Sequence, residues 1–288
     1  MQMTKGGKTD MDSLKDRVAL ITGAASKRGM GHTIALRLAG EGAHIIVVDK
    51  FATPRSLFPG DEGWGGLNAV VDEVKSLGKE ALAVVADINN SREVEGAVAK
   101  ALEKFGKIDI LVHCAGIRGP VTTPIIDFDE GDWRRVLDVN LTGSFLISKT
   151  VAKSMVAKGK GGKIVLIASL GGVKGMPGSA GYCASKFGVI GLVKTLALEL
   201  AHYKINVNAI SPGTVITNLR NSFHIEKGKA ESIPIDEAIK RDYQKLTEGI
   251  PLGRVGTTEE IADLALFLVS NQSNYITGEA INITGGVS

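Results

Sequence analysis

Short apolar runs alternate with helical stretches along most of this chain, and this alternation limits the fold more than any other feature. Apolar runs at residues 17–22, 43–48, 81–87 and 108–113 each lead into a turn and then into a stretch with helical spacing. Strands that alternate with helices form a parallel sheet with helices on both faces. The sequence therefore predicts an α/β protein with a Rossmann-like, doubly wound parallel sheet.

One domain is predicted for residues 16–288, preceded by a flexible polar segment at 1–15. No shift in composition, internal repeat or low-complexity tract divides the chain of 288 residues. Residues 214–250 are the least regular part of the second half and contain one amphipathic helical pattern. We expect this segment to form a lid over a bound substrate, and an ordinary surface excursion is the alternative.

Composition excludes several classes of protein. A net charge of +3 with scattered basic residues gives no support to binding of nucleic acid or a membrane surface. The polar opening is not a signal peptide, and no apolar stretch approaches the roughly eighteen residues that a membrane span needs. Two cysteines without a secretion signal indicate a cytoplasmic protein. The five histidines lack metal-ligand spacing, and we assign no metal.

The first apolar run leads into a glycine-rich turn at residues 23–31, followed by a helix. Such a turn lets backbone N–H groups approach a pyrophosphate at the positive end of the helix. The second run ends at Asp49, where a carboxylate can accept hydrogen bonds from ribose hydroxyls. Together these features predict a dinucleotide site. For Asp49 considered alone, a solvated turn residue is the alternative.

Ser169, Tyr182 and Lys186 form a candidate group for proton transfer. Tyr182 and Lys186 are four residues apart and share a helix face, and Ser169 closes a buried apolar run. A phenol titrates near about pH 10, and a neighbouring ammonium lowers that value. A serine hydroxyl beside it can hold a substrate oxygen in line. The Tyr-x-x-x-Lys spacing alone is a weak signal, and an incidental pair on a surface helix is the alternative.

Asn140 lies inside a long helical stretch at residues 129–158. Asparagine is a mediocre helix former, so we expect a polar task facing the site, with a solvent-facing side chain as the alternative. Asp87 ends the third apolar run and is placed to meet an adenine edge. The fourth run leads into small residues at 114–116, where a ligand can approach the backbone.

Together these segments resemble a short-chain dehydrogenase/reductase of the single-domain type, from about residue 16 to 286. The matching pieces are TGAASKRGMG at 22–31, Asp49, Asp87, CAG at 114–116, NLTG at 140–143, Ser169, YCASK at 182–186 and PGTVIT at 212–217. Their shared order is far more specific than any single piece. The resemblance implies a sheet of about seven strands, a nicotinamide cofactor, and hydride transfer to or from a carbinol or carbonyl carbon.

The resemblance also implies a role for each matching residue. Tyr182 is the implied acid/base, Lys186 lowers its pKa and binds the nicotinamide ribose, Ser169 positions the substrate oxygen, and Asn140 supports a water on the proton path. The implied cofactor-binding residues are Gly23, Ser26, Lys27, Gly29, Met30, Gly31, Asp49, Asp87, Ile88, Cys114, Ala115, Gly116, Tyr182, Lys186, Pro212, Gly213, Val215 and Thr217.

The chain departs from the family pattern in three places. Five residues rather than three separate the first two glycines of the turn, and the extra pair is Lys27 and Arg28. Cys114 stands where the family has asparagine, which removes a polar contact. The loop at residues 51–66 is longer than in most relatives.

The expected cofactor is NAD rather than NADP. Asp49 would repel a 2′-phosphate, whereas Lys27, Arg28 and Lys50 would attract it. The cations are flexible and screened, and the carboxylate is fixed at a strand end, so the repulsion is expected to win.

We expect an NAD(H)-dependent oxidoreductase of a secondary alcohol or ketone. Charges in the 214–250 segment favour a small polar substrate such as a polyol, a sugar or a hydroxy acid, and a 3-oxoacyl-type ketone reductase is the alternative. A non-catalytic dinucleotide sensor is the alternative from another class, but it would be expected to have lost Ser169, Tyr182 or Lys186. Long apolar helices, which relatives pair across subunits, lead us to expect a homotetramer, or at least a dimer.

Overall fold

The computed structural model describes residues 14–54, 61–220 and 234–288. Within these ranges seven strands form one sheet in the order β3-β2-β1-β4-β5-β6-β7, and all neighbouring strands are parallel. The strands are β1 (Val18–Thr22), β2 (His44–Asp49), β3 (Ala81–Val85), β4 (Ile110–His113), β5 (Gly162–Ile167), β6 (Ile205–Pro212) and β7 (Ala280–Ile283). The predicted doubly wound parallel sheet is confirmed.

Helices cover both faces of the sheet. The helices are α1 (Met30–Gly40), α2 (Leu67–Ser76), α3 (Ser91–Phe105), α4 (Glu130–Leu137), α5 (Gly143–Lys158), α6 (Ala180–Leu200), α7 (Ile235–Glu248) and α8 (Thr258–Val269). One core contains residues of α1, α2 and α8, and the other contains residues of α3, α5 and α6. Alternate residues of each central strand enter opposite cores, as Leu20 and Ile21 of β1 do. The strands therefore read as continuous apolar runs because both of their faces are buried.

The strand order reverses between β1 and β4. The chain builds β1, β2 and β3 toward one edge, then crosses back to place β4 on the other side of β1. The two strand ends are in register, with Thr22 opposite His113. Ligands of open α/β sheets bind outside the carboxyl ends of the strands at such a point. The topology therefore opens a crevice between the loops that follow β1 and β4.

The predicted long helix at residues 129–158 is interrupted by one turn of π-helix, Asp138–Thr142, between α4 and α5. π-Turns carry an extra residue within an α-helix and occur often at functional sites. Asn140 lies in this turn and is 0% exposed. A solvent-facing Asn140 is therefore excluded.

Several sequence boundaries moved by one or two residues. Ser169 lies two residues beyond β5, and Leu14 is 2% exposed and packs into the core ahead of the predicted domain boundary. Residues 1–13 and part of the predicted lid, 221–233, lie outside the described residues. The helix predicted inside the lid is α7. In the described part of the chain, no helix has the length and apolar character to span a membrane, and no cluster of potential metal ligands occurs.

Candidate active site

A cavity of about 550 Å³ opens at the carboxyl ends of β1 and β4. Twelve of the predicted cofactor-binding residues line it: Gly23, Ser26, Gly29, Met30, Gly31, Asp49, Asp87, Ile88, Cys114, Ala115, Gly116 and Thr217. Residues not selected from the sequence also line it: Lys50, Phe51, Ala86, Ile117, Arg135, Val139, Asn218 and Leu219. Most of these residues are neighbours of the predicted ones. Selecting every residue of the loops that follow the strand ends, and not single positions, would have found them.

Close backbone approach explains the glycines on the cavity wall. Gly23 has a φ of 68°, and a Cβ built there would lie 2.7 Å from the amide nitrogen of Ala115. A Cβ on Gly31 would lie 2.5 Å from the carbonyl oxygen of Gly23. Helix α1 starts after Gly29 without a side-chain cap, which leaves its first N–H groups to an outside acceptor. These residues fit the pyrophosphate of a dinucleotide.

The Thr22 hydroxyl ties the end of β1 to the end of β4. It lies 2.7 Å from Nδ1 of His113 and accepts the backbone N–H groups of Cys114 and Ala115 at 3.2 Å each. Burial lowers the pKa of His113 to about 3 and raises the pKa of the Cys114 thiol to about 12; the nearby Lys186 adds to the first shift and opposes the second. Both side chains are thus neutral, and the backbone at Cys114 is held by Thr22.

Asp49 belongs to the cavity wall and also binds the glycine-rich turn. Its carboxylate accepts a hydrogen bond from the backbone N–H of Ala25 at 3.1 Å and another from that of Phe51 at 3.4 Å. Burial raises the pKa of Asp49, and these backbone hydrogen bonds oppose the rise. Asp87 lies 2.8 Å from the ammonium of Lys50. Burial works to raise the pKa of Asp87, but the Lys50 contact and the backbone N–H of Asn89 together outweigh it, and the pKa lies below its usual range.

The two extra residues of the glycine-rich turn are paired with Asp61. The Asp61 carboxylate lies 3.2 Å from the Lys27 ammonium and 2.9 Å from Nε of Arg28. Burial alone would raise the pKa of Asp61, which is 3% exposed, but these two partners hold it below its usual range. Trp64 donates its indole N–H to the carbonyl of Ala25 at 2.8 Å. Lys27, predicted to bind the cofactor, therefore lies outside the cavity lining and faces Asp61.

A second pocket, of about 120 Å³, adjoins the first. Met30, Thr217 and Leu219 line both. Of the predicted residues, the second pocket also contacts Ser169, Tyr182, Pro212, Gly213 and Val215.

The Ser169 hydroxyl interacts with the Tyr182 phenol and acts to lower its pKa. The Ser169 hydroxyl also accepts the backbone N–H of Gly171 at 3.1 Å. The loop between β5 and α6 thus folds back so that Ser169, after β5, and Tyr182, on α6, both line the second pocket.

Burial raises the pKa of Tyr182 above its usual value, and the Ser169 hydrogen bond acts in the opposite direction. Arg118 and Arg220 also lower the pKa, while Cys183 raises it. The sequence prediction assigned the lowering to Lys186, whereas in this structure the two arginines provide the cationic contribution. Arg118 was missed because a single arginine in a loop carries no pattern.

Lys186 is 6% exposed and lies behind the tyrosine ring. Its ammonium donates to the carbonyl of Ile167 at 2.8 Å and lies 5.9 Å from the ring centroid of Tyr182. Burial lowers the pKa of Lys186 to about 8, with Cys114 opposing the shift. This lysine is therefore poised between its charged and neutral forms near physiological pH.

The Asn140 side chain holds the loop after β4 in place. Its amide oxygen accepts the N–H of Ile117 at 2.8 Å, and its amide nitrogen donates to the carbonyl of Ile117 at 2.9 Å and to the Ser185 hydroxyl at 3.0 Å. The π-turn aims this amide at the loop, and α6 provides the third partner. The contact positions the wall of the cavity next to Gly116, while the proton relay through Asn140 stays a prediction.

Comparison with known proteins identifies the family. The family model described as enoyl-(acyl carrier protein) reductase matches residues 23–288. The 3-oxoacyl-[acyl-carrier-protein] reductase of Synechocystis sp. is 37% identical over 96% of this chain and 99% of its own length. The trans-4-hydroxycyclohexanecarboxylate dehydrogenase of Sinomonas cyclohexanicum is 38% identical over 96% of this chain and 94% of its own length. The chain belongs to the short-chain dehydrogenase/reductase family.

Solved structures of other short-chain dehydrogenases/reductases share the fold. NAD⁺-bound xylitol dehydrogenase has a TM-score of 0.82 and 34% identity, covering 94% of this chain and 99% of that chain. A variant of actinorhodin polyketide ketoreductase with NADPH has a TM-score of 0.81 and 35% identity, and the match covers 94% of this chain and 97% of that chain. Members of the family thus hold either dinucleotide. This short-chain dehydrogenase/reductase is an oxidoreductase that acts on an alcohol or ketone with a nicotinamide dinucleotide.

Proposed function

We propose that this protein interconverts a small polar secondary alcohol and its ketone with NAD(H). The observation that carries the proposal is that Ser169 and Tyr182 line the 120 Å³ pocket, which shares Met30, Thr217 and Leu219 with the 550 Å³ cavity. A dinucleotide in the larger cavity and an alcohol in the smaller one would meet at this pair. When bound, a nicotinamide dinucleotide would supply the hydride chemistry, as the acceptor for the carbinol hydride in oxidation and as the donor to the carbonyl carbon in reduction.

The proton moves through the residues of the chain itself. During oxidation the carbinol O–H bond breaks and its proton passes to the Tyr182 phenolate, while the Ser169 hydroxyl holds the substrate oxygen in line. Lys186 lies behind the ring with a pKa of about 8 and is placed to relay the proton onward. Asn140 fixes the loop at Ile117 and so positions the wall of the cavity. In reduction the same proton returns from Tyr182 to the carbonyl oxygen.

NAD is the proposed dinucleotide because the cations that would attract a 2′-phosphate are already paired. Lys27 and Arg28 contact Asp61, and Lys50 contacts Asp87. Asp49 stays on the cavity wall as a fixed carboxylate. Repulsion between two charges about 4 Å apart costs on the order of 1 kcal/mol in water and several-fold more where solvent is partly excluded. We expect NAD to exceed NADP by at least about tenfold in kcat/KM, or about 1.4 kcal/mol.

Asp49→Ser tests the cofactor proposal. It removes the repulsion toward a 2′-phosphate, so the ratio of kcat/KM for NAD to that for NADP should fall or reverse. Asp263→Asn is the matched control, because its carboxylate lies on α8 and pairs with Arg37 on the surface. A wild-type preference for NADP would show that Asp49 does not face the ribose.

The substrate is proposed to be small and polar. The two related dehydrogenases named for xylitol and for a hydroxycyclohexanecarboxylate act, by their names, on a polyol and a hydroxy acid. A 3-oxoacyl-type ketone reductase is the second candidate, which the Synechocystis relative favours. Rates with a panel of polyols, hydroxy acids and 3-oxoacyl thioesters, followed by NADH absorbance, decide between them.

Tyr182→Phe tests the catalytic proposal. It removes the phenol and should abolish turnover while leaving NADH binding, measured by fluorescence titration, nearly unchanged. Lys186→Met should lower both turnover and NADH affinity. Tyr275→Phe is the control, since this tyrosine is fully exposed. Turnover of Tyr182→Phe within a few-fold of wild type would overturn the mechanism, and NADH binding by wild type without turnover of any substrate would favour a dinucleotide sensor.

A further inference from the structure

His32, in the first turn of α1, connects the glycine-rich turn to α2 through its imidazole ring. Its Nδ1 lies 2.7 Å from the backbone carbonyl oxygen of Lys27, and its Nε2 lies 2.5 Å from a carboxylate oxygen of Glu73. The ring centroid lies 5.2 Å from that of Trp64. His32 is 8% exposed, so these neighbours, rather than water, surround the ring.

Both polar contacts of the ring require a proton on the nitrogen. A backbone carbonyl oxygen can only accept a hydrogen bond, and the same holds for an ionised carboxylate. The Glu73 side chain is 42% exposed and keeps contact with water, in which a carboxylate is ionised near neutral pH. A neutral imidazole has one N–H group, whereas the imidazolium has two. The geometry therefore matches His32 in its charged, doubly protonated form.

The charge of His32 lies at the end of α1 that fits a pyrophosphate. Gly31, the preceding residue, lines the larger cavity, and both residues belong to the first turn of α1. A positive charge is unfavourable at the N-terminus of a helix, and the Glu73 carboxylate offsets that cost. A bound pyrophosphate would add negative charge at the same helix end. It would therefore favour the imidazolium over the neutral ring.

The other charged groups around the ring come from the glycine-rich turn and from α8. Lys27 and Arg28 of the turn contact Asp61. Glu259 of α8 lines a surface groove of about 360 Å³ that this histidine also lines. Within the described ranges, Glu73 is the one charged group that forms an ion pair with the ring. Among these residue types, only histidine normally changes its charge between about pH 5 and 8.

We propose that doubly protonated His32 is a positioning residue for the dinucleotide, because it bonds the glycine-rich turn to α2. Loss of one proton leaves a nitrogen lone pair facing the Glu73 carboxylate and ends that contact. The N–H groups of the turn are then less well fixed, and dinucleotide affinity falls as pH rises. The proposal concerns the dinucleotide site alone and does not depend on the substrate or on a preference for NAD over NADP.

Binding of NADH without substrate tests the proposal. The dissociation constant is measured by fluorescence titration between about pH 6 and 8.5, the range in which histidine loses its charge. In the wild type it should rise about fivefold or more across this range. Lys186, with a pKa of about 8, titrates in the same range in every variant. The comparison with His32→Gln isolates the histidine, and the rise in that variant should be about fivefold smaller.

Glu73→Gln tests the requirement for the second proton. The glutamine amide can donate to an unprotonated Nε2, so the contact persists with a neutral ring. The pH dependence of NADH affinity should therefore shrink as it does in His32→Gln. At the upper end of the pH range this variant should bind NADH more tightly than the wild type. A side chain with only a structural role would instead change the affinity by the same factor at every pH.

His202→Gln is the matched control, because this histidine is exposed and stacks on Tyr203 after α6. It should keep the pH dependence of the wild type. Nuclear magnetic resonance of the imidazole groups follows the proton directly. The signal that is absent from His32→Gln should stay in its protonated form to higher pH when NADH is bound, because binding and protonation favour each other.

Equal pH dependence of NADH affinity in the wild type and in His32→Gln would overturn the proposal, as would a His32 signal whose titration NADH leaves unchanged. Melting temperatures show whether each variant is folded. If His32→Gln does not fold, Glu73→Gln must still reduce the pH dependence, and an unreduced dependence overturns the proposal. These outcomes leave the proposed function intact, whereas failure of the wild type to bind NADH at any pH would refute both.

Discussion

The carboxylate of Asp61 lies 2.9 Å from Nε of Arg28 and joins the loop before α2 to the glycine-rich turn after β1. The same carboxylate contacts Lys27, and Trp64 from the same loop binds the turn at Ala25. The extra pair of basic residues and the long loop, which looked like separate departures in the sequence, are thus parts of one contact. The contact holds Lys27 and Arg28 at Asp61, outside the lining of the larger cavity, and the single carboxylate offsets one of their two positive charges.

Asp61→Asn should weaken the preference for NAD over NADP. Loss of the carboxylate removes the negative charge that offsets Lys27 and Arg28, close to Ala25, whose backbone N–H binds Asp49. We expect the ratio of kcat/KM for the two cofactors to fall by about tenfold, or about 1.4 kcal/mol. Asp263→Asn, which removes an exposed carboxylate bound to Arg37, should leave the ratio as it is. An unchanged ratio in a folded Asp61→Asn protein would refute the role assigned to Asp61.

The pH dependence of alcohol oxidation should move when Arg118 is replaced. Oxidation requires the Tyr182 phenolate, so the rate rises as pH passes through the pKa of Tyr182. Burial raises that pKa, and Ser169, Arg118 and Arg220 lower it, while Cys183 raises it and Lys186 lies behind the ring. Arg118→Gln removes a cation that favours the phenolate, so the rising limb should shift to higher pH.

This shift is measured as kcat/KM against pH with a neutral secondary alcohol. Arg134→Gln, which removes a surface arginine paired with Glu130, serves as the control and should give the wild-type profile. A profile of Arg118→Gln that coincides with that of wild type would show that the guanidinium does not influence Tyr182.

Gly31→Ala and Gly96→Ala should have opposite effects on stability. A Cβ on Gly31 would lie 2.5 Å from the carbonyl oxygen of Gly23, so the turn must shift, at a cost of about 1–3 kcal/mol. Gly96 lies within α3, and a Cβ built there would have no neighbour within 4 Å outside its own helix. Alanine at this position should raise the free energy of unfolding by about 0.5–1 kcal/mol. Denaturant titration measures both changes. NADH affinity should fall only in Gly31→Ala. Equal NADH affinity in the two variants would contradict the role of Gly31 in the turn that fits the pyrophosphate.

Exposed apolar side chains on α5 and α6 support assembly into a homotetramer. Phe145, Phe187 and Leu198 are 43%, 48% and 83% exposed. We expect light scattering to give four copies at micromolar concentration and Leu198→Glu to reduce that number. Leu77→Glu changes an exposed leucine next to α2, 47% exposed, and should leave the assembly unchanged. A monomer in the wild type would refute the prediction.

Local patterns carried enough information to predict the sheet and the strand ends. The apolar runs of the central strands β1, β2, β4, β5 and β6 are buried on both faces, so their composition alone marks them, and the loops after the strands hold most of the selected residues. Arg118 and Asp61 were missed for the opposite reason. Arg118 lies near Tyr182 because β4, β5 and β6 are adjacent in the sheet. Asp61 contacts Lys27 and Arg28 because the loop before α2 folds onto the glycine-rich turn. Neither relation leaves a periodic trace in the sequence.

Asn140 and Lys186 show an intermediate case. The sequence indicated that Asn140 turns inward, because asparagine is a mediocre helix residue, but not that its amide would bind both backbone groups of Ile117. Lys186 was placed correctly beside Tyr182 by the four-residue spacing. Its buried ammonium is bound to Ile167, and the balance of burial against charge on Tyr182 depends on the whole surrounding structure.

The contacts of the Thr22 hydroxyl also fix a tautomer. A threonine hydroxyl has one proton and two lone pairs, and the N–H groups of Cys114 and Ala115 occupy the lone pairs. Its proton must therefore point to Nδ1 of His113, which leaves the imidazole proton on Nε2. With a pKa of about 3, this ring keeps the same tautomer at every pH at which Tyr182 titrates. The hydrogen bonds that join β1 to β4 therefore do not change over the pH range in which Tyr182 titrates.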